Sequence, residues 1–353
     1  MRASSTVTAS TPPADPAGPT QPARRLDRKL AAIAAGRYAR TDFILADAKD
    51  ADMAFGVAAP GPVPGTPPEG RGRPGYFRTR ETYLTAMRDG IRGGHLDIML
   101  TSASNGERLV RDGWPDPDVT LAVRGNDTTD IWLPRGATVA KRPSRPFRTV
   151  DLARIRPFCD LVLYSVTLNN DLDHDLATVA TYRAFRHEAA ALGVRHFLEV
   201  FNPNAPVDLA PADTGAFIND WIIRILAGVT ADERPSFLKV AYNGADALAE
   251  LAEHDPTLVV GILGGSAGTT RDTFELLRRA EEQGARVALF GRKIQGAESQ
   301  GALVGLMREV LEHRLDPIAA VRAYHVSLAR QGLAPVRPLD ADLELTDPVL
   351  RAE

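Results

Sequence analysis

One lysine stands out chemically. Lys239 lies in Phe237-Leu238-Lys239-Val240-Ala241, an apolar run that reads as a buried strand, where an ammonium must be paired, neutralised or used. The chain holds only five lysines against thirty-seven arginines, so arginine is its default cation and Lys239 looks chosen for its amine. A desolvated lysine can reach neutrality and form a Schiff base with a carbonyl compound, which arginine cannot. Carbinolamine chemistry also needs a carboxylate or phenol to move protons. Three candidates sit in other apolar runs: Asp47, Tyr164 and Glu199. Glu199, between Phe197-Leu198 and Val200-Phe201, calls for a cation, and Lys239 is on the next predicted strand. Asp47 shares its turn with Lys49, Asp50 and Asp52, so a structural ion pair competes for it; Tyr164 serves equally well as a core side chain.

The elements that must position these groups repeat one pattern, a short apolar strand, a turn and an amphipathic helix. Eight strands are expected, at 43–47, 96–101, 119–124, 161–167, 196–201, 237–242, 258–263 and 286–290. Helices are expected after them, among them 80–91, 175–192, 215–227, 245–254, 270–283 and 299–313, with a closing helix at 317–329. Thr269 and Asp272 suit a capping box and Gly284 a left-handed C-terminal cap. Eight βα units without an early dinucleotide-binding glycine fingerprint predict an α/β fold, a single (β/α)8 TIM barrel. The organisation expected is a disordered leader over 1–25, the barrel over 26–332 and a tail over 333–353. Pro/Gly-rich insertions follow strand one (57–75) and strand three (134–148); the second carries Arg135, Lys141, Arg142, Arg145 and Arg148 and no acid. That basic run reads either as attraction for a phosphorylated substrate or as a solvated charge run.

The composition limits the partners. A net charge of −3 gives no electrostatic footprint for nucleic acid. Nothing is long and apolar enough to span a bilayer, so no membrane partner is expected. A single cysteine, Cys159, excludes an intramolecular disulfide and a thiolate cluster and agrees with a cytoplasmic setting. No cofactor and no metal are expected. The partner expected is a small phosphorylated carbonyl substrate, because strands seven and eight run into Gly264-Gly265-Ser266 and Gly291-Arg292. Glycine turns after these two barrel strands are a recurrent phosphate site.

Phe237-Leu238-Lys239-Val240, Gly264-Gly265-Ser266 and Phe290-Gly291-Arg292-Lys293 together resemble the class I aldolase superfamily, which includes deoxyribose-phosphate, tagatose-bisphosphate and archaeal-type fructose-bisphosphate aldolases. The likeness runs mainly over 196–312. It implies Lys239 as Schiff-base lysine, Asp47 as the strand-one aspartate, the two glycine turns as the phosphate grip and a homo-oligomer. Strand five departs from the archaeal-type pattern, which carries a proton-transferring tyrosine where this chain reads Leu198-Glu199-Val200-Phe201-Asn202-Pro203. A glutamate there is similar to the tagatose-bisphosphate branch and implies Glu199 as the acid/base, with Tyr164 second. Two other readings stay open: a phosphate-binding barrel isomerase or synthase that forms no imine, and an inactive sugar-phosphate-binding relative.

Overall fold

A computed structural model describes residues 23–71, 73–205, 208–264 and 268–352. The expected leader up to Pro22, and the called phosphate residues Gly265 and Ser266, lie outside the described residues. Eight parallel strands close into a barrel in chain order: β1 (Ile44–Lys49), β2 (Ile98–Thr101), β3 (Thr120–Arg124), β4 (Leu161–Thr167), β5 (Arg195–Phe201), β6 (Leu238–Val240), β7 (Gly261–Leu263) and β8 (Val287–Phe290). The helices alternate with them as expected, from Arg80–Arg92 after β1 to Gln300–Leu311 and Pro317–Arg330 after β8. The capping box forms: Thr269 N–H donates to Asp272 and Asp272 N–H donates back to Thr269, while Gly284 takes φ +95°. This is the (β/α)8 TIM barrel read from the sequence.

Because side chains alternate across a strand, each strand feeds two separate cores. Ile44, Ala46 and Ala48 of β1 pack inside the barrel with Leu163, Phe197 and Leu289. Leu45, Tyr164, Leu198 and Val240 face the helix layer. Both cores are apolar, so β1 is buried along its whole length on both faces.

Two stretches fold that the sequence reading left without structure. Arg25, assigned to the leader, opens a helix, Arg25–Ala34, whose Leu26, Leu30 and Ile33 recur at helical spacing and pack onto the barrel interior from its N-terminal end. Ion pairs clasp it there: Arg24 to Asp160 at 2.6 Å, Arg195 to Asp27 at 2.7 Å, and buried Lys29 to Asp97 at 2.9 Å. At the other end of the chain, the tail folds back over the start of the helix Thr270–Glu282. Thr270 N–H donates to Asp342 at 2.7 Å and Thr346 N–H donates to Asp272 at 2.7 Å. Among the described residues no helix is long and apolar enough to cross a membrane.

Candidate active site

Register builds the site. On adjacent strands Ser165 pairs with Glu199 and Glu199 with Lys239, so the three side chains enter the barrel at one level near the strands' C-terminal ends. Arg124, the last residue of β3, reaches the same level from the strand next to β4. Lys239 Nζ lies 2.5 Å from Glu199 Oε1, and both residues are buried. The other carboxylate oxygen, Oε2, accepts from Ser165 Oγ at 2.6 Å and from Arg124 Nη2 at 3.1 Å. Arg124 Nε donates to Asp50 at 2.5 Å, and its Nη1 donates to Ser165 Oγ at 2.9 Å. Two cations and two carboxylates thus form one closed network on the pocket floor.

The electrostatics follow from that count. Burial penalises the Glu199 and Asp50 anions, yet Arg124 and Lys239 outweigh it and hold both carboxyls below the usual carboxylate range. Arg124, buried between several anions, stays firmly protonated, its pKa raised despite its desolvation. Asp127 stands farther from the guanidinium, 3.9 Å away, and there burial prevails and lifts its carboxyl to about 6. Glu199 is therefore an ionised acceptor 2.5 Å from the lysine nitrogen, a distance over which a proton can pass directly.

Above this floor a pocket opens at the barrel mouth. Lys239, Glu199, Arg124, Asp50, Gly291 and Arg292 all line it. Gly264 lines it too, but its N–H already donates to Leu289 O at 2.9 Å. A Cβ on Gly264 would come within 2.5 Å of the Phe290 ring, and one on Gly291 within 2.7 Å of Ala48 O. Gly264 is required for the close approach of β7 to β8 and Gly291 for that of β8 to β1; for Gly264 this replaces the expectation of a bare phosphate-binding amide. None of the five basic residues of the 134–148 insertion lines the pocket; Arg148 is spent on Glu188 at 2.7 Å and Arg135 lies over the Phe77 ring.

Two candidates are placed elsewhere. Asp47 has the parity of Leu45 and points into the helix layer, where its Oδ2 meets Lys49 Nζ at 3.3 Å beside Gly90 and Gln300. Tyr164 faces the same layer, its ring 4.3 Å from Phe185 and 5.3 Å from Tyr182. Neither reaches the barrel interior, so of the four catalytic candidates only Glu199 and Lys239 meet there, joined by Asp50, Arg124 and Ser165. The signal for the missed residues was parity: Asp50 continues Ile44-Ala46-Ala48, and Ser165 continues Leu161-Leu163.

No protein-family model matches this sequence, and no curated protein does. Solved structures match the fold. An archaeal fructose 1,6-bisphosphate aldolase aligns at 13% identity and TM-score 0.56 over 82% of this chain and 99% of its own. A Schiff base forming fructose-1,6-bisphosphate aldolase aligns at 14% and 0.56 over 81% and 99%. The fructose-bisphosphate aldolase of Slackia heliotrinireducens aligns at 15% and 0.60 over 86% and 90%. The resemblance to class I aldolases is thus shared by the fold from end to end of those chains, at identities that speak for architecture alone.

Proposed function

We propose that this barrel is a metal-independent class I aldolase-type lyase acting on a small, phosphorylated carbonyl compound. The observation that carries the reading is the Lys239–Glu199 pair, 2.5 Å apart at the C-terminal mouth of a closed barrel. In the reaction Lys239 passes a proton to Glu199, and the neutral amine adds to the substrate carbonyl to give a carbinolamine. Glu199 returns the proton to the departing hydroxyl; water leaves and an iminium forms. When the substrate carries a β-hydroxyl, a base takes that proton, the Cα–Cβ electron pair moves into the iminium, and an aldehyde departs to leave an enamine. Protonation at carbon and hydrolysis by water then release the second product and regenerate Lys239.

Arg124 and Ser165 act through Glu199: by holding Oε2 they aim Oε1 at the amine. Gly291 and Arg292 at the end of β8 support a phosphate on that side of the pocket. The ion pair also supports a second reading, in which Lys239 stays protonated and binds a sugar phosphate electrostatically without an imine. The single cysteine, Cys159, free and buried, suits a reducing cytoplasm as the setting.

Reductive trapping separates the two readings. Incubation with phosphorylated ketones and small aldehydes followed by borohydride should place an adduct on Lys239, located by peptide mass spectrometry and lost in Lys239→Met. A folded protein that binds dihydroxyacetone phosphate in calorimetry and yields no adduct would establish the electrostatic reading instead.

A further inference from the structure

Above its charged floor the pocket changes character. Its walls are Ala54, Phe55, Ile131, Leu133, Phe201 and Leu289. Among the described residues that line it there is no serine, threonine, asparagine, glutamine, tyrosine or histidine; every polar side chain in the lining is charged. Four of these, Asp50, Arg124, Glu199 and Lys239, are committed to one another. Phe201 and Leu289 belong to β5 and β8, and the other four come from the two segments that lead into the insertions. The short helix Asp52–Phe55 follows β1, and 131–133 belongs to the loop after β3. Leu133 N–H donates to Ala54 O at 2.8 Å and fastens the two together over the mouth. Leu133 still keeps 36% of its surface exposed at that rim.

A sugar chain is a poor match for such walls. Its hydroxyls leave water on binding and need new partners, and each hydroxyl left without one weakens binding by roughly tenfold. A methylene or aromatic carbon meets its own kind there and gains about tenfold or more per group. We propose that the substrate of this pocket carries an apolar alkyl or aryl body beyond its reacting carbonyl, in place of a polyhydroxylated chain. The inference rests on the Schiff-base reading of Lys239 for the position of the carbonyl and on the apolar walls for what surrounds the rest.

The test compares carbonyl probes on the full chain. 4-Phenylbutan-2-one, acetone and the polyhydroxylated ketone erythrulose, all without phosphate, are supplied at equal concentration with cyanoborohydride, and labelling of Lys239 is followed by peptide mass spectrometry. The phenyl ketone should label about tenfold faster than erythrulose. Its rate relative to acetone should drop about tenfold in Leu133→Ser and in Phe55→Ser, two positions exposed or half-buried at the rim. Faster labelling by erythrulose, or an unchanged ratio in both variants, overturns the inference. If no probe labels Lys239, the Schiff-base reading is what fails, and calorimetry with the unreactive 4-phenylbutan-2-ol and sorbitol decides the rest. Tighter binding of the phenyl alcohol upholds the apolar preference; tighter binding of sorbitol, or of neither, overturns it.

Discussion

Two of the buried lysine–carboxylate pairs among the described residues lie on barrel strands, and they have opposite environments. Lys49 and Asp47 sit on the outer face of β1, 3.3 Å apart, under the helices. Lys239 and Glu199 sit on the inner faces of β6 and β5, 2.5 Å apart, at the mouth. In the outer pair each group has one opposite charge, and burial prevails: Asp47 is pushed up to about 6 and Lys49 is lowered. At the inner pair a second cation, Arg124, tips the balance and Glu199 is lowered. Burial alone therefore does not mark a reactive lysine. What distinguishes Lys239 is the opening it faces and the network that keeps its partner ionised.

The comparison breaks first on trapping. Lys239→Met should abolish the reductive adduct, whereas Lys49→Met, which removes an equally buried amine, should retain it at the parental rate; equal loss in both would make burial the relevant variable after all. The next largest effect is on stability. Arg124→Met leaves Asp50 and Glu199 in the interior with Lys239 as their nearest cation, and urea unfolding should show a loss of about 3–5 kcal/mol. Arg124→Lys should recover only part of it, since a point charge cannot bridge Asp50, Ser165 and Glu199 as the guanidinium fork does. Glu199→Gln should slow imine formation by roughly 10²-fold in single-turnover trapping, the ordinary contribution of a positioned proton carrier. Asp47→Asn should leave that rate unchanged.

Acid titration of stability sharpens the contrast with the smallest effect. Asp47 is raised in the folded protein, so its contribution is full below the unfolded value near 4 and is lost as pH rises to about 6, at ~1.4 kcal/mol per pH unit. Glu199 is lowered, so its contribution is present above the unfolded value and is lost only as pH falls through its folded one. Denaturant midpoints of Asp47→Asn should fall less steeply between pH 4 and 6 than those of the parent, with Asp127 keeping its own falling component; an unchanged slope would show that Asp47 titrates normally.

How much of this was legible in the sequence follows the same division. Strand order, helix positions and the Lys239–Glu199 adjacency were readable, because each helix has one apolar stripe and each strand is a distinct apolar run. The face of each strand was harder to read. In a barrel both faces are buried, so the alternation in Ile44 to Lys49, apolar at 44, 46 and 48 and charged at 47 and 49, does not say which set faces the pocket, and Asp47 fitted the strand-one position while pointing outward. With Lys239 fixed as inward, the polar residues sharing the parity of interior leucines, Ser165 on β4 and Arg124 after Ala122 on β3, identify the inner face. The helix Arg25–Ala34 was missed because Pro- and Ala-rich sequence precedes it and its stripe is only three residues, Leu26, Leu30 and Ile33.

That helix makes the barrel a cup. With Leu26 wholly buried against the interior and the charge clasp around it, the N-terminal end is stoppered, and among the described residues Lys239 opens to the mouth at the other end, beneath the joined segments 52–55 and 131–133. A vessel with one opening would impose a queue on the cleavage proposed above: the fragment nearer the rim would depart before the fragment held at the floor, and whatever entered last would leave first.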